Sequence, residues 1–572
     1  MDGNNIKSKS FLPPLGLAVC TYIVMGLVLY YRTLNTNFIY DDLLNIDLNP
    51  YVQRLAFMRE IWRINQTRFL AYWSLAWNYR LGGTNPLGYH IFNILVHMAV
   101  SVLVYIFSTA VLRTPKLRPI FTDQQVSRIA FAGGLIFLCH PIQTQAVSYI
   151  VQRITSLSTF FYLVSIIFYI NFRLQHKIVS FILSLIMTVA AMVTKEVAFT
   201  LPFSILLIES LFFDEDSQAT GRRWRYVIPY LLTLPLIPLL LFFGVHSGRA
   251  LGSMTSETLT ISRMDYFSTQ IRVLVTYLRL LVWPFNQNLD YDYPLISSLF
   301  KVSVICSGLL LISMILLAIW QRKRNRILAF CIFWFFLTLS VESSFFPIND
   351  VIQEHRLYLP MIAFAFGTAV FLNLILRKQW LYRLVLTLII AYLSILTFQR
   401  NEVWQTPLRV WQDTAAKSPN KLRVLNNLAG EYIVQQRYEE ALPLLAKAIE
   451  MDPEYAKAYF NLATIYKAKG DLDQALHLAL QAYQYDTKDH RNAQLVGYLY
   501  LQMDDYQKAL AYYQKFLILR PSFKNAKEYV KILIFVMGET RNIQLVRSYS
   551  KTLLEVGYQD IYEAIWDNSL DK

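Results

Sequence analysis

The chain has 572 residues, 55% of them hydrophobic and 15% aromatic, with a formal net charge of +15 and a mean hydropathy of +0.34. That apolar density excludes an ordinary soluble domain and makes this an integral membrane protein. The charge does not point to nucleic acid. From Val403 onward 21 Lys and Arg stand against 20 Asp and Glu, so about +14 of the excess lies in the apolar part, where short cytoplasmic loops collect Lys and Arg. The four cysteines all fall in apolar segments without metal-ligand spacing and read as small buried hydrophobes, with no disulfide or zinc site implied.

Apolar runs near or above spanning length occur at about 11–31, 89–112, 128–140, 146–171, 178–194, 197–213, 226–245, 267–283, 300–320, 327–346, 360–376 and 380–398. The first has no convincing small-residue cleavage site and reads as a retained helix. Lys7 and Lys9 before it place the N-terminus in the cytoplasm and the next loop outside. Alternation then puts Arg113, Lys116, Arg118, Arg128, Arg173, Lys177, Arg222, Arg223 and Arg225 inside. The run at 267–283 carries Arg272 and Arg279; were it to span, the cluster Arg322 to Arg326 would fall outside. It is therefore expected to lie on the outer face as an interfacial or re-entrant helix. About eleven spanning helices remain. The fold class is all-α, a polytopic membrane bundle over 1–400 followed by a soluble part over 401–572.

The loop after the first run, NFIYDDLLNIDLNPYV, sets Asp41 and Asp42 side by side just outside a membrane helix. This is a costly place for charge, and such charge is usually functional. On the expected topology it shares the outer side with the loop PINDVIQEHRLYLP, Pro347 to Pro360, and with the soluble part.

In that part Pro419, Pro453, Thr487 and Pro521 are each 34 residues apart, as are Ala441, Ala475 and Ala509, and Tyr432, Tyr466 and Tyr500. Period, small crossing residue and turn proline are the tetratricopeptide signature, which predicts a right-handed α-solenoid. Clear repeats run over about 420–521, with degenerate units on both sides. Such a surface binds extended polypeptide or another protein, or serves as a spacer or dimerisation module.

Other polar residues stand in or beside the apolar runs. His90, Asn93 and His97 line one helix face; they lack the i, i+4 histidine pair that a metal would want, and interhelical hydrogen bonding is at least as good a reading. Arg153, after HPIQTQAVSYIVQ, needs an anionic partner, either a lipid phosphate or a neighbouring carboxylate. Lys195 and Glu196 interrupt one apolar run, and pairing with each other across a short outer loop is the simple alternative to a functional role. Glu354, His355 and Arg356 precede LYLP; the guanidinium there presents its fork to phosphate or snorkels to the interface.

The ordered set FIYDD, RFLAYWSLAWNYRLGGTNPLGYHIFNILVH, HPIQTQAVSYIVQR, TKE and EHRLYLP, followed by the repeats, resembles the transmembrane and tetratricopeptide repeat O-mannosyltransferases and their bacterial relatives. The resemblance covers nearly the whole chain. It implies a GT-C fold and a polyprenyl-phosphate-linked sugar as donor substrate, with acidic residues of the first outer loop, here Asp41 and Asp42, at the reaction centre. Its Glu-Arg motif falls on Glu354 and Arg356, with His355 intervening. The bacterial branch implies an inner membrane with periplasmic repeats, the eukaryotic branch an endoplasmic reticulum membrane with lumenal repeats; compactness and a single outer sequon, Asn65-Gln66-Thr67, favour the bacterial one.

Placement and resemblance together lead to inverting transfer of a hexose, mannose by the resemblance, to Ser or Thr. Asp41 is the expected base, and Asp42 the orienting group or the ligand of a divalent metal whose need stays open. Arg153, Lys195 and Arg356 are the expected cations for the leaving phosphate, with Glu196, Glu354, His355, His90, Asn93 and His97 in support. Acceptor polypeptide is expected on the repeats. Two alternatives stand: the same fold acting on a lipid or cell-surface glycan, and a non-catalytic anchor whose repeats recruit an assembly. A transporter fits less well, because no paired glycine-broken helices occur in corresponding halves.

Overall fold

Apolar runs that cross a bilayer must satisfy their own backbone hydrogen bonds, and the helix does so within one segment. The computed structural model describes residues 15–53, 58–213, 220–246, 261–520 and 523–567. No β-strand element occurs among the described residues. Contacts divide the chain into two units, Met1–Asp413 and Thr414–Lys572. Lys7, Lys9, Pro521 and the side chains of Arg222 and Arg223 lie outside the described residues.

Among the described residues of the first unit, six helices are long and apolar enough to cross a membrane: Leu15–Thr33, Leu87–Leu112, Ile150–Gln175, Trp224–Phe242, Val302–Gln321 and Gln379–Val403. Asp123–Cys139 with Pro141–Ser148, bent by 54°, makes a seventh if the pair is one span. This differs from the expected eleven. Ile178–Met192, Arg326–Leu339 and Pro360–Ile375 are apolar but shorter, and at ~1.5 Å per residue a helix of this length covers about 22 Å of a hydrocarbon layer ~30 Å thick. The run at 197–213 is split into a 3-10 turn, Glu196–Thr200, and a helix, Leu201–Phe212. Arg263–Val282, which carries Arg263, Asp265, Arg272 and Arg279, is not among the six.

The helices pack on aromatic side chains and close glycine contacts. Phe107, Phe330, Trp334 and Phe366 form one buried aromatic group. Tyr22 lies so near Gly134 that a Cβ at that position would collide with its phenol, and the Tyr22 hydroxyl donates to Phe131 O at 2.9 Å. The two ends of the bundle differ in chemistry. At one end Lys116 N–H donates to Phe212 O at 3.3 Å and the Arg326 guanidinium to Leu211 O at 2.8 Å, which brings two basic segments to the end of the helix Leu201–Phe212. Leu87–Leu112 leads from there to the other end, where its first turns meet Thr36 and Arg153.

At this second end the backbone is irregular. After Cys139 the chain passes through the 3-10 turn Pro141–Gln143, the short helix Thr144–Ser148 and a second 3-10 turn, Ile150–Gln152, before the helix Arg153–Gln175. Pro141 supplies no N–H to continue the preceding helix, and His140 Nδ1 accepts from Ile142 N–H at 3.2 Å. Buried non-helical backbone persists only where protein groups satisfy it.

In the second unit the helices come in pairs: Leu422–Val434 with Tyr438–Met451, Ala456–Ala468 with Leu472–Tyr485, and His490–Gln502 with Tyr506–Leu519. The turn residues Gln436, Gly470 and Asp504, 34 apart, all have positive φ, the left-handed conformation that reverses the chain within each pair. Ala441, Ala475 and Ala509 are fully buried where the helices cross. Beyond them Phe523–Thr540 brings Ala526, Tyr529 and Leu533 onto Leu510, Tyr513 and Leu517.

Candidate active site

Asp42 lies in the loop beyond the first helix, Leu15–Thr33, where its N–H closes a turn onto Ile39 O at 3.0 Å, and it is 1% exposed. Its Oδ2 accepts from Ile39 N–H at 3.1 Å and its Oδ1 from Val151 N–H at 2.7 Å. Burial pushes its carboxyl up to about 7, against the pull of those two N–H groups, with the neighbouring Asp41 adding to the rise. With both oxygens engaged by backbone, Asp42 fits an orienting group better than a metal ligand. No group of three or more His, Cys, Asp and Glu disposed to hold a metal ion occurs among the described residues. Asp41 is only half-buried. Its N–H donates to the Tyr149 hydroxyl at 3.0 Å and its carbonyl accepts from Asn45 Nδ2 at 2.7 Å.

The irregular segment explains several polar residues of the sequence. Asn93 donates to Val147 O and Ile150 O, both at 3.1 Å, and accepts from Arg153 Nε at 2.9 Å. Arg153 is 0% exposed. Its remaining N–H groups go to Ser74 O at 3.3 Å, Asn78 Oδ1 and Tyr89 O at 3.1 Å, and its guanidinium covers the Phe92 ring. Its hydrogen-bond partners are neutral oxygens, and the neighbouring Asp42 carboxylate acts on it through charge alone. His90 Nε2 bonds to Thr36 O at 2.9 Å, and His97 bonds to the Tyr358 hydroxyl at 2.8 Å and Leu138 O at 3.2 Å. The three residues of that face are interhelical hydrogen-bonding groups.

Lys195 and Glu196 do not pair with each other, contrary to the simple alternative. Extended backbone at Lys195 turns the two side chains to different partners. Lys195 Nζ lies 2.8 Å from Glu342 Oε1 and 3.0 Å from Thr155 Oγ1. Glu196 receives Arg68 at 3.0 and 3.3 Å and Thr67 Oγ1 at 2.8 Å. Burial works to raise both carboxyls. The Arg68 charge holds Glu196 below its usual value, and the Lys195 and Arg356 charges do the same for Glu342.

The loop 347–360 completes the group. Arg356, 5% exposed, donates to Asp350 O at 2.7 Å and Val351 O at 3.2 Å. His355 is half-buried, and its N–H donates to Gln145 Oε1 at 2.7 Å. Its Nδ1 is buried without a hydrogen-bond partner. Burial, then the charges of Lys195, Arg356 and Arg68, push its pKa far below the usual histidine value, so the ring is neutral. Glu354 faces away: it accepts from the Tyr291 hydroxyl at 2.6 Å, from Gln287 at 3.1 Å and from Asn288 N–H, and anchors the segment that carries them.

The structure thus brings together Lys195, Glu196, His355 and Arg356. It joins to them two residues that single-residue reasoning passed over, Arg68 and Glu342. Arg68 stands at the head of RFLAYW and Glu342 at the end of an apolar run, each a lone charge beside an apolar segment, which was the only signal available. The Asp41 backbone carbonyl connects toward this group through Asn45, whose Oδ1 accepts from the Tyr72 hydroxyl, and Tyr72 stands near Arg68. Asp42, Asn93 and Arg153 make their hydrogen bonds around the irregular segment 141–153.

Residues 432–497 match one tetratricopeptide repeat family and residues 490–523 another. The chain is 22% identical over 505 residues to human "Protein O-mannosyl-transferase TMTC3", covering 78% of this chain and 53% of that protein. It is 23% identical over 452 residues to "Protein O-mannosyl-transferase F38B6.6" of Caenorhabditis elegans, covering 76% and 62%. The chain is a relative of these proteins. With mouse "Protein O-mannosyl-transferase TMTC2" it shares 34% identity over 162 residues, 26% of this chain and 18% of that protein. The chain spans about half the length of the curated relatives it matches.

Proposed function

We propose that this protein is a membrane glycosyltransferase that moves a hexose, mannose by its relatives, from a polyprenyl-phosphate donor to Ser or Thr of extracytoplasmic polypeptide. The observation that carries the reading is the half-buried Asp41, tethered by Tyr149 and Asn45 and linked through Tyr72 to a group holding Arg68, Lys195 and Arg356. Asp41 takes the proton of the acceptor hydroxyl as its oxygen attacks the anomeric carbon. The bond from that carbon to the phosphate oxygen breaks, the electron pair leaves with the lipid phosphate, and one displacement inverts the centre. The departing phosphate needs fixed positive charge rather than a general acid.

Lys195 and Arg356 keep that role and Arg68 joins them, while Arg153 drops out because it is fully buried with each guanidinium nitrogen held by a protein oxygen. His355 offers its Nδ1 to the same phosphate. Asp42 orients the loop. The repeats present the acceptor, in the periplasm of a bacterial inner-membrane protein or in the lumen of the endoplasmic reticulum for a eukaryotic one.

The test is the Ser- and Thr-linked hexose on extracytoplasmic proteins, scored by mass spectrometry, in cells carrying wild type or Asp41→Asn at equal inserted levels. Loss of hexose in the variant supports the reading. Hexose that is independent of this protein sinks it and turns attention to surface glycans.

A further inference from the structure

Tyr40, the residue before Asp41, has φ of 50°. This is the left-handed region, where a bulky side chain is strained. Such a conformation persists only where the surroundings over-determine it. Here the Tyr40 ring packs edge-on against Trp411, with centroids 5.5 Å apart and planes at 83°. Trp411 is itself buried. On the other flank, Tyr149, which accepts from Asp41 N–H, stacks on Trp404 with centroids 5.9 Å apart, and Trp404 O accepts from Thr36 Oγ1 at 2.9 Å. Arg400 and Asp413 pair at 2.7 Å, which closes the segment carrying both tryptophans on itself. The stretch after the last span thus grips the Asp41 loop from two sides.

We propose that Trp411 clamps Tyr40 in its left-handed conformation and so sets the direction of the Asp41 carboxylate, which makes Trp411 a positioning residue for the transfer. The proposal rests on the reading of Asp41 as the base. Without the clamp, residue 40 relaxes to negative φ, the chain at Asp41 turns, and the carboxylate leaves the acceptor hydroxyl.

The test uses full-length variants in cells, with hexose on Ser and Thr normalised to inserted protein. Trp411→Ala lowers transfer by roughly tenfold, in keeping with the left-handed penalty of a residue that has a side chain. If Trp411→Ala does not insert, Trp411→Leu, which keeps apolar volume without a ring edge, takes its place. In either background Tyr40→Gly restores most of the lost transfer, because glycine takes positive φ freely. Tyr40→Ala, which removes the same ring, does not. Equal behaviour of Gly and Ala at position 40, or Trp411 variants that transfer like wild type, overturns the clamp. Asp41→Asn in parallel separates the two ideas: full transfer by Asp41→Asn sinks the base reading and the clamp with it, whereas inactive Asp41→Asn beside unaffected Trp411 variants sinks the clamp alone.

Discussion

Val151 N–H donates to Asp42 Oδ1 at 2.7 Å, 109 residues apart in sequence, and this bond ties the loop after the first helix to the break between two helices. Of two adjacent carboxylates, one holds the backbone and the other remains half-buried beside Tyr149. On the proposed reading the same dipeptide divides into an acid that holds backbone and an acid that takes the acceptor's proton.

That division predicts opposite phenotypes for the two amide substitutions. Asp42→Asn puts an NH2 group against one of the two backbone N–H donors, and loss of one such buried hydrogen bond costs ~1–3 kcal/mol. The purified variant should melt earlier in detergent than wild type. Asp41→Asn should melt like wild type while transfer falls by ~10²–10⁴, the range of a lost general base. A lower melting temperature for Asp41→Asn with unchanged transfer would reverse the assignment.

The raised pKa of Asp42 gives stability a pH dependence of definite sign. The unfolded carboxyl titrates near ~3.9, and the folded one at about 7. The folded state holds the proton more tightly, so the stability from this group is full below about pH 4 and is lost as pH rises through about 7. Melting in detergent should decline over that window. The deficit of Asp42→Asn relative to wild type should shrink as pH rises, since the buried charge that burdens wild type is absent in the amide. A deficit that grows with pH is the contrary result.

The helical class and the repeat register are legible in the sequence because each rests on a local period. Ala441, Ala475 and Ala509 recur at 34 residues and all three are buried where helices cross. The site is less legible, because a lone charge next to an apolar run does not name its partner. Lys195 and Glu196 are adjacent, yet their partners are Glu342 and Arg68, more than 120 residues away. Arg153 looks like a phosphate ligand until Asn93, Ser74, Asn78 and Tyr89 are seen around it. The irregular backbone that these groups serve leaves only Pro141 as its mark in the sequence.

Arg153→Lys tests that structural role. A guanidinium fork reaches several oxygens at fixed angles, and an ammonium on a flexible stem does not. The variant should lose several of these bonds and melt earlier, while the folded fraction keeps wild-type affinity for the proposed donor, tested with polyprenyl-phosphate mannose. Weaker donor binding at unchanged stability would return Arg153 to the phosphate group.

Lys195 and Glu342 carry the sharpest separation of structure from chemistry. Removing one member of a buried pair leaves an uncompensated charge, at a cost of ~3–5 kcal/mol. Lys195→Met should therefore insert poorly or melt early, with Glu342 left facing Glu196 and short of its nearest cation. Adding Glu342→Gln removes the orphaned charge and should restore the melting temperature. If Lys195 only braces the fold, the double variant recovers transfer along with stability. If Lys195 also meets the donor phosphate, stability returns while transfer and donor affinity do not, because neither Met nor Gln supplies positive charge where the phosphate leaves. Melting curves and donor titrations on the same preparations of the single and double variants decide between the two roles.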